Sequence, residues 1–173
     1  MSVRGIGIDL VLISRMREVI ARWDERFLRR VFTEAEIAYC RARRDPVPHF
    51  AARFAAKEAA LKALGTGLDL GVSWRELEVQ RERGQAPSLI LSGRSREIGL
   101  RRGGHRMLLA LTHDGDYAMA QAMLVSVGAS TCSAGASTAS SETSPTEDRA
   151  GEAGARTADD RAGGLQPRRS TRR

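Results

Sequence analysis

Beyond position 125 this chain has almost nothing with which to build a core: in residues 126–173 the only large apolar side chains are Val127 and Leu165, set among Ser, Thr, Ala, Gly and charged residues. Such a segment buries too little apolar surface to offset the entropy of ordering it. Residues 126–173 are therefore expected to be a disordered tail, ending in the basic run QPRRSTRR. The fold must come from residues 1–125, one domain of ordinary size able to hold a modest core.

That domain is basic. The whole chain carries a formal charge of +7, of which the tail, with seven arginines and six acidic residues, supplies only +1. Nucleic acids, membranes and acidic proteins are all drawn by such a field. The few aromatic residues are not interleaved with the basic ones, as a stacking platform for single strands requires. Cys40 in the domain and Cys132 in the tail make no disulfide framework. The N-terminal apolar run is interrupted by Asp9, lacks a cleavage-like end and is too short to span a bilayer, so a cytoplasmic protein is expected.

Lysine is used sparingly. Lys57 and Lys62 are the only two, against 26 arginines, and both fall in the segment FAAKEAALKAL over residues 54–64. A lysine ammonium is a compact charge that approaches a phosphate oxygen closely and can exchange a proton, which a guanidinium does not do. Glu58 lies one turn before Lys62, so a helix puts carboxylate and ammonium on one face; an ordinary surface pair at this spacing is the plainer reading. Asp9 closes a strand-like run of small and apolar residues, a place for a helix cap as much as for a ligand. His113 stands beside an HDGD turn between two apolar runs, a hairpin signal in which a histidine is often only a turn residue.

Apolar spacing predicts a strand over residues 3–9 and a following helix carrying Leu12, Ile13, Met16, Val19, Ile20 and Trp23. Thr33 and Glu36 form a capping-box pattern for a second helix. A long helix is expected between Pro46, Pro48 and the closing Gly65 and Gly67, with Phe50, Phe54, Leu61 and Leu64 as its buried face. Strands over 74–80 and 88–91, a short helix over 94–100 and a closing hairpin over 108–124 complete an α+β domain, helices packed on a small antiparallel sheet.

Three segments, GIGIDLV (5–11), RFAAKEAALKALGTG (53–67) and LTHDGDYA (111–118), resemble the signature regions of the holo-acyl-carrier-protein synthases, the small 4′-phosphopantetheinyl transferases, in order and at the expected separations. Two departures stand out: Ala110 and Leu111 precede Thr112 where a serine is common, and the long tail is not part of the pattern. The resemblance implies the 4′-phosphopantetheinyl transferase fold and a homotrimer with sites between subunits. It implies transfer of phosphopantetheine from coenzyme A to a serine of an apo-acyl carrier protein, releasing adenosine 3′,5′-bisphosphate.

For the residues, the resemblance implies Mg²⁺ held by Asp9 and Glu58, with Lys62 on the pyrophosphate, neutralising or protonating the departing oxygen. The serine proton falls to Glu58 or to water at the metal. Phosphate binding outside the metal falls to Arg53, His113 and Lys57, although Lys57 reads equally as a solvated helix position; Gly65 and Gly67 allow coenzyme A close to the backbone. Arg15, Arg22, Arg26 and Arg29, at offsets of 7, 11 and 14 residues, align on one side of an unbroken helix, and the family docks an acidic carrier helix on its first helix, using a position that Arg15 matches. Such a stripe is otherwise a solvent face. Two rival readings fit less well. A nuclease or phosphatase with two metals needs more clustered carboxylates, and a nucleic-acid-binding domain leaves the lysines and the Asp, Glu and His residues without purpose.

Overall fold

The computed structural model describes residues 1–67, 70–82 and 84–126. The chain divides into a unit Met1–Thr131 and a second, Cys132–Arg173, which lies outside the described residues together with all of the expected tail except Ser126. Ser126 belongs to the last strand, paired with Ser2.

The elements follow in the order β1 (Ser2–Leu12), α1 (Ile13–Val31), α2 (Glu34–Arg41), α3 (Val47–Ala63), a 3₁₀ turn (Trp74–Glu76), β2 (Leu77–Gln80), β3 (Ser88–Leu91), α4 (Gly93–Arg101), β4 (Arg106–Asp114) and β5 (Tyr117–Ser126). All strand pairs are antiparallel, in the order β1-β5-β4-β3-β2. The domain is the expected α+β arrangement of helices on a small antiparallel sheet. One expected strand is shorter than its sequence suggests: Trp74–Glu76 is a 3₁₀ turn, capped by the Ser73 hydroxyl, and only Leu77–Gln80 extends.

β4 and β5 form the expected hairpin, with Asp114 opposite Tyr117 and a two-residue turn whose first position, Gly115, has φ 53, as turns of this length favour. The capping box is present: the Thr33 hydroxyl accepts the Glu36 amide and the Glu36 carboxylate accepts the Thr33 amide.

α3 is the central beam. It opens on Pro46 and ends at Gly65, where φ 58 stops the helix and the Gly65 and Thr66 amides return to the carbonyls of Lys62 and Leu61. The expected buried stripe proved too narrow, because Ala51, Ala52, Ala55, Ala56, Ala59, Ala60 and Ala63 are buried as well. A helix buried over most of its circumference is an interior helix, and α3, with only the Glu58 and Lys62 face left open, lies between the inner face of the sheet on one side and α1 and α2 on the other. Its alanines let the flanking layers approach closely. Leu28, Phe32 and Ile37 pack on its N-terminal half, and Leu77, Val79, Leu89 and Leu124 close the other.

Candidate active site

The short side chains of β1 decide where Asp9 arrives. Gly5, Gly7, Asp9 and Val11 alternate toward α3, while Ile6, Ile8 and Leu10 point away. A Cβ on Gly7 would lie 2.7 Å from the Ala63 nitrogen and 2.8 Å from Lys62 Cβ, and one on Gly5 would run into the Ala63 carbonyl. The strand backbone therefore rests directly on the last two turns of α3. Two residues on, Lys62 Nζ donates to Asp9 Oδ1 at 2.8 Å and to the Ile8 carbonyl at 3.0 Å.

Lys62 and Glu58 share a face of α3 as their spacing predicts, but the ammonium pairs with Asp9 and not with Glu58. Glu58 is half-buried, and its carboxyl is pushed above the usual 4.5, first by that burial and then by the negative charge of Asp9, with Lys62 opposing. Two carboxylates thus crowd one another beside an ammonium that is 52% exposed. No group of three or more His, Cys, Asp or Glu side chains able to hold a metal occurs among the described residues. The pair suits Mg²⁺, which takes one or two protein carboxylates and completes its octahedron with water and substrate oxygens.

Arg53 and His113 meet at a second place. Arg53 is only 4% exposed, its guanidinium 3.9 Å from the centre of the Tyr39 ring, and its Nε has no hydrogen-bond partner. Arg43 lies 4.2 Å from the centre of the same ring. His113 packs edge-to-face on His49, centroids 5.5 Å apart. Tyr39, His49, Arg53, Arg81, Thr112 and His113 line a cavity of about 210 Å³, adjoined by one of about 590 Å³ that shares Tyr39, His49 and Arg81 and adds Arg43 and Glu82. Burial and the charges of His113, Arg43, Arg53 and Arg81 hold the His49 pKa below 6.5. So much positive charge around a cavity, with a buried donor left unpaired, is an environment for an anion.

Of the residues around these cavities, the sequence singles out Arg53 and His113 but not Tyr39, Arg43, His49 or Arg81. Only His49 carried a local signal, sitting four residues before Arg53 on the face of the same helix. The others converge through tertiary folding.

Lys57 must be corrected. It is neither a phosphate contact open to coenzyme A nor a solvated position: its side chain has no exposure, and its three ammonium donors go to Glu36 Oε2 at 2.7 Å, the Val31 carbonyl at 2.9 Å and the Trp74 carbonyl at 3.0 Å. The i+5 spacing of the two lysines puts them on different sides of the helix. Only Lys62 shares its face with Glu58.

The arginine stripe is also corrected. α1 bends at Asp24, whose φ of 36 is non-helical, so Arg15 and Arg22 belong to one segment and Arg26 and Arg29 to another. Arg29 is paired with Glu25, which also holds Arg41, whereas Arg15, Arg22 and Arg26 are exposed and make no ion pair among the described residues. Gly65 lies three residues beyond Lys62 with its carbonyl accepting the Arg102 guanidinium at 3.3 Å.

The sequence model of the 4′-phosphopantetheinyl transferase superfamily matches residues 5–122. A holo-[acyl-carrier-protein] synthase of Koribacter versatilis is 44% identical over 122 residues, 70% of this chain and 98% of its own. One from Syntrophotalea carbinolica is 49% identical over 116 residues, 67% of this chain and 91% of its own. Among solved structures, the holo-[acyl-carrier-protein] synthase of Neisseria meningitidis matches with a TM-score of 0.64 at 29% identity, covering 72% of this chain and 99% of that one. The Helicobacter pylori enzyme, in complex with coenzyme A, matches with a TM-score of 0.61 at 28% identity, covering 69% and 99%.

Proposed function

The chain belongs to the 4′-phosphopantetheinyl transferase superfamily and is an enzyme of its holo-acyl-carrier-protein synthase group, and from that premise we propose a division of labour between its two clusters. The enzyme moves phosphopantetheine from coenzyme A to a serine of an apo-acyl carrier protein. The serine oxygen forms a bond to the phosphorus bearing the pantetheine, the pyrophosphate bridge breaks, and adenosine 3′,5′-bisphosphate leaves with the bridging oxygen.

The observation that carries this reading is the Asp9–Lys62 contact at 2.8 Å beside the half-buried Glu58. Asp9 and Glu58 would hold Mg²⁺, which neutralises charge on the pyrophosphate oxygens when bound. Lys62 spends two ammonium donors on Ile8 and Asp9 and keeps the third for a phosphate or leaving-group oxygen. The serine proton goes to Glu58 or to water at the metal. Arg53 and His113, with Tyr39, Arg43, His49 and Arg81, hold a phosphate of coenzyme A outside the metal site. Gly65 offers backbone close to Lys62 for the same ligand.

A homotrimer is part of the reading. Ile6, Ile8, Leu10, Tyr117 and Met119 leave the outer face of β1 and β5 apolar and exposed, the kind of face a second copy covers. Arg15 and Arg22 face an acidic helix of the carrier. No helix among the described residues is long and apolar enough to cross a membrane, and the enzyme works with its carrier in the cytoplasm.

Incubation with apo-carrier, coenzyme A and Mg²⁺ tests the proposal by mass spectrometry of the carrier and chromatography of the nucleotide. One added phosphopantetheine and an equal amount of adenosine 3′,5′-bisphosphate are expected, both lost on chelation. An unmodified carrier, or transfer indifferent to chelation, would overturn it.

A further inference from the structure

Helix α1 starts without a cap of its own. Leu12 at its N-cap is the last residue of β1 and has no polar side chain, and the first turn contains no acidic residue. Its exposed amide groups need acceptors from elsewhere. They find them in Asp116, the second residue of the β4–β5 turn and 102 positions away from Ser14 in sequence. Asp116 Oδ1 accepts the Ser14 amide at 2.7 Å, its Oδ2 accepts the Ser14 hydroxyl at 2.6 Å, and its carbonyl accepts the Ile13 amide at 2.9 Å. One turn residue thus supplies three acceptors to one helix end, and places a negative charge where the helix dipole favours it.

The helix is tethered once more on the same side, through Arg17 and Asp45 at 2.8 Å. Ser14 and Arg17, three residues apart, lie toward these tethers. Arg15 and Arg22, seven apart, project from another side and make no ion pair among the described residues. Because β1 passes into α1 with no loop between them, the direction of the first turn is set by whatever grips residues 13 and 14.

We infer that Asp116 is a positioning residue for carrier recognition: it caps α1 from the hairpin turn and fixes the direction in which Arg15 is presented to an acidic carrier helix. The inference rests on the carrier reading given above. It also joins the hairpin that bears His113 to the helix that meets the protein substrate.

Asp116→Ala, Asp116→Asn and Ser14→Ala test it, with melting temperature and separate KM values for apo-carrier and coenzyme A. Asp116→Ala is expected to raise the carrier KM several-fold, because the first turn of α1 loses its cap, and to leave the coenzyme A KM at its wild-type value. Asp116→Asn should restore most of the carrier affinity, since asparagine caps as well as aspartate. Ser14→Ala, which keeps the backbone bonds and the fold, should raise the carrier KM by a smaller factor and carries the measurement if Asp116→Ala does not fold. A lowered melting temperature with an unchanged carrier KM would make Asp116 purely structural and overturn the inference, as would equal rises in both KM values. A wild-type enzyme that modifies no carrier would instead remove the underlying reading, and the inference with it.

Discussion

Lys57 and Glu36 meet at 2.7 Å with neither side chain exposed to solvent. Glu36 does more than oppose the charge: its Oε2 also accepts the Thr33 amide that completes the capping box, and its Oε1 accepts the Val79 amide at 3.0 Å. The pair therefore ties the ends of α1 and α2, the 3₁₀ turn and β2 to the middle of α3. Burial pulls the lysine pKa below 10.5, against the attraction of Glu36. Removing one partner from such a pair strands the other charge in the interior, at a cost of about 3–5 kcal/mol. Lys57→Met should lower the urea midpoint accordingly, while the folded enzyme keeps nearly its normal KM for coenzyme A. A variant of unchanged stability but weakened coenzyme A binding would return Lys57 to the substrate site.

Gly7→Ala tests whether the approach of β1 to α3 is what delivers Asp9. The added methyl group meets the Ala59 carbonyl, the Ala63 nitrogen and Lys62 Cβ, mostly backbone of an interior helix that cannot turn aside. Overpacking of this kind costs about 1–3 kcal/mol. The strand is expected to shift, lengthening the Asp9–Lys62 contact, so transfer should fall more steeply than thermal stability. Activity close to wild type with an ordinary melting temperature would show that β1 has more freedom than the packing suggests.

Lys62→Arg separates charge from geometry. The ammonium sits between a carbonyl and a carboxylate with one donor to spare. A planar guanidinium keeps the charge but neither fits that corner in the same way nor gives up a proton. The expected fall in kcat is roughly two orders of magnitude, the scale of a lost proton donor. Steady-state rates and circular dichroism check it, and a variant within a few-fold of wild type would reduce Lys62 to charge balance.

The outer face of the sheet gives a fourth expectation. Ile8 is 56% exposed between Ile6 and Leu10 on the edge strand. Ile8→Glu leaves the inner face untouched, so the subunit should fold, but a charge buried against a second copy without a partner is strongly unfavourable. Light scattering should find wild-type trimers and mutant monomers. A trimeric Ile8→Glu protein would place the subunit contact elsewhere.

What the sequence disclosed follows from the range of the interactions involved. The capping box, the hairpin turn and the Gly65 stop are local, and each is found where turn and cap chemistry puts it. Asp9, Glu58 and Lys62 stand out as candidates through their motifs, but the pairing of Lys62 with Asp9, and not with its helical neighbour, depends on two glycines letting β1 lie on α3. Lys57 could not be read correctly, because its acceptors come from α1, α2 and the 3₁₀ turn. The kink at Asp24 had no proline or glycine to announce it, so the arginine stripe looked continuous. Trp74–Glu76 runs straight into the alternating Leu77–Gln80, yet the Ser73 cap winds it into a 3₁₀ turn.

His49 links the anion cavity to pH. Its ring faces Tyr39 and His113, and burial opposes its protonation, joined by the charges of His113, Arg43, Arg53 and Arg81. The folded pKa is therefore below the 6.5 of an unperturbed imidazole. Between those two values the unfolded chain binds more protons at this position than the folded one, so stability rises with pH across the interval and is flat with respect to His49 on either side. His49→Gln removes the titrating group and should flatten that part of the stability curve, measured by urea denaturation between about pH 5 and pH 7. A bound phosphate dianion offsets the surrounding charge and favours the imidazolium, which brings the folded pKa back toward that of the unfolded chain and should flatten the rise, so the curve recorded with adenosine 3′,5′-bisphosphate is expected to separate from the unliganded one most clearly on the acid side. If His49→Gln leaves the slope unaltered, the acid sensitivity belongs to other groups and His49 is only a packing partner of His113.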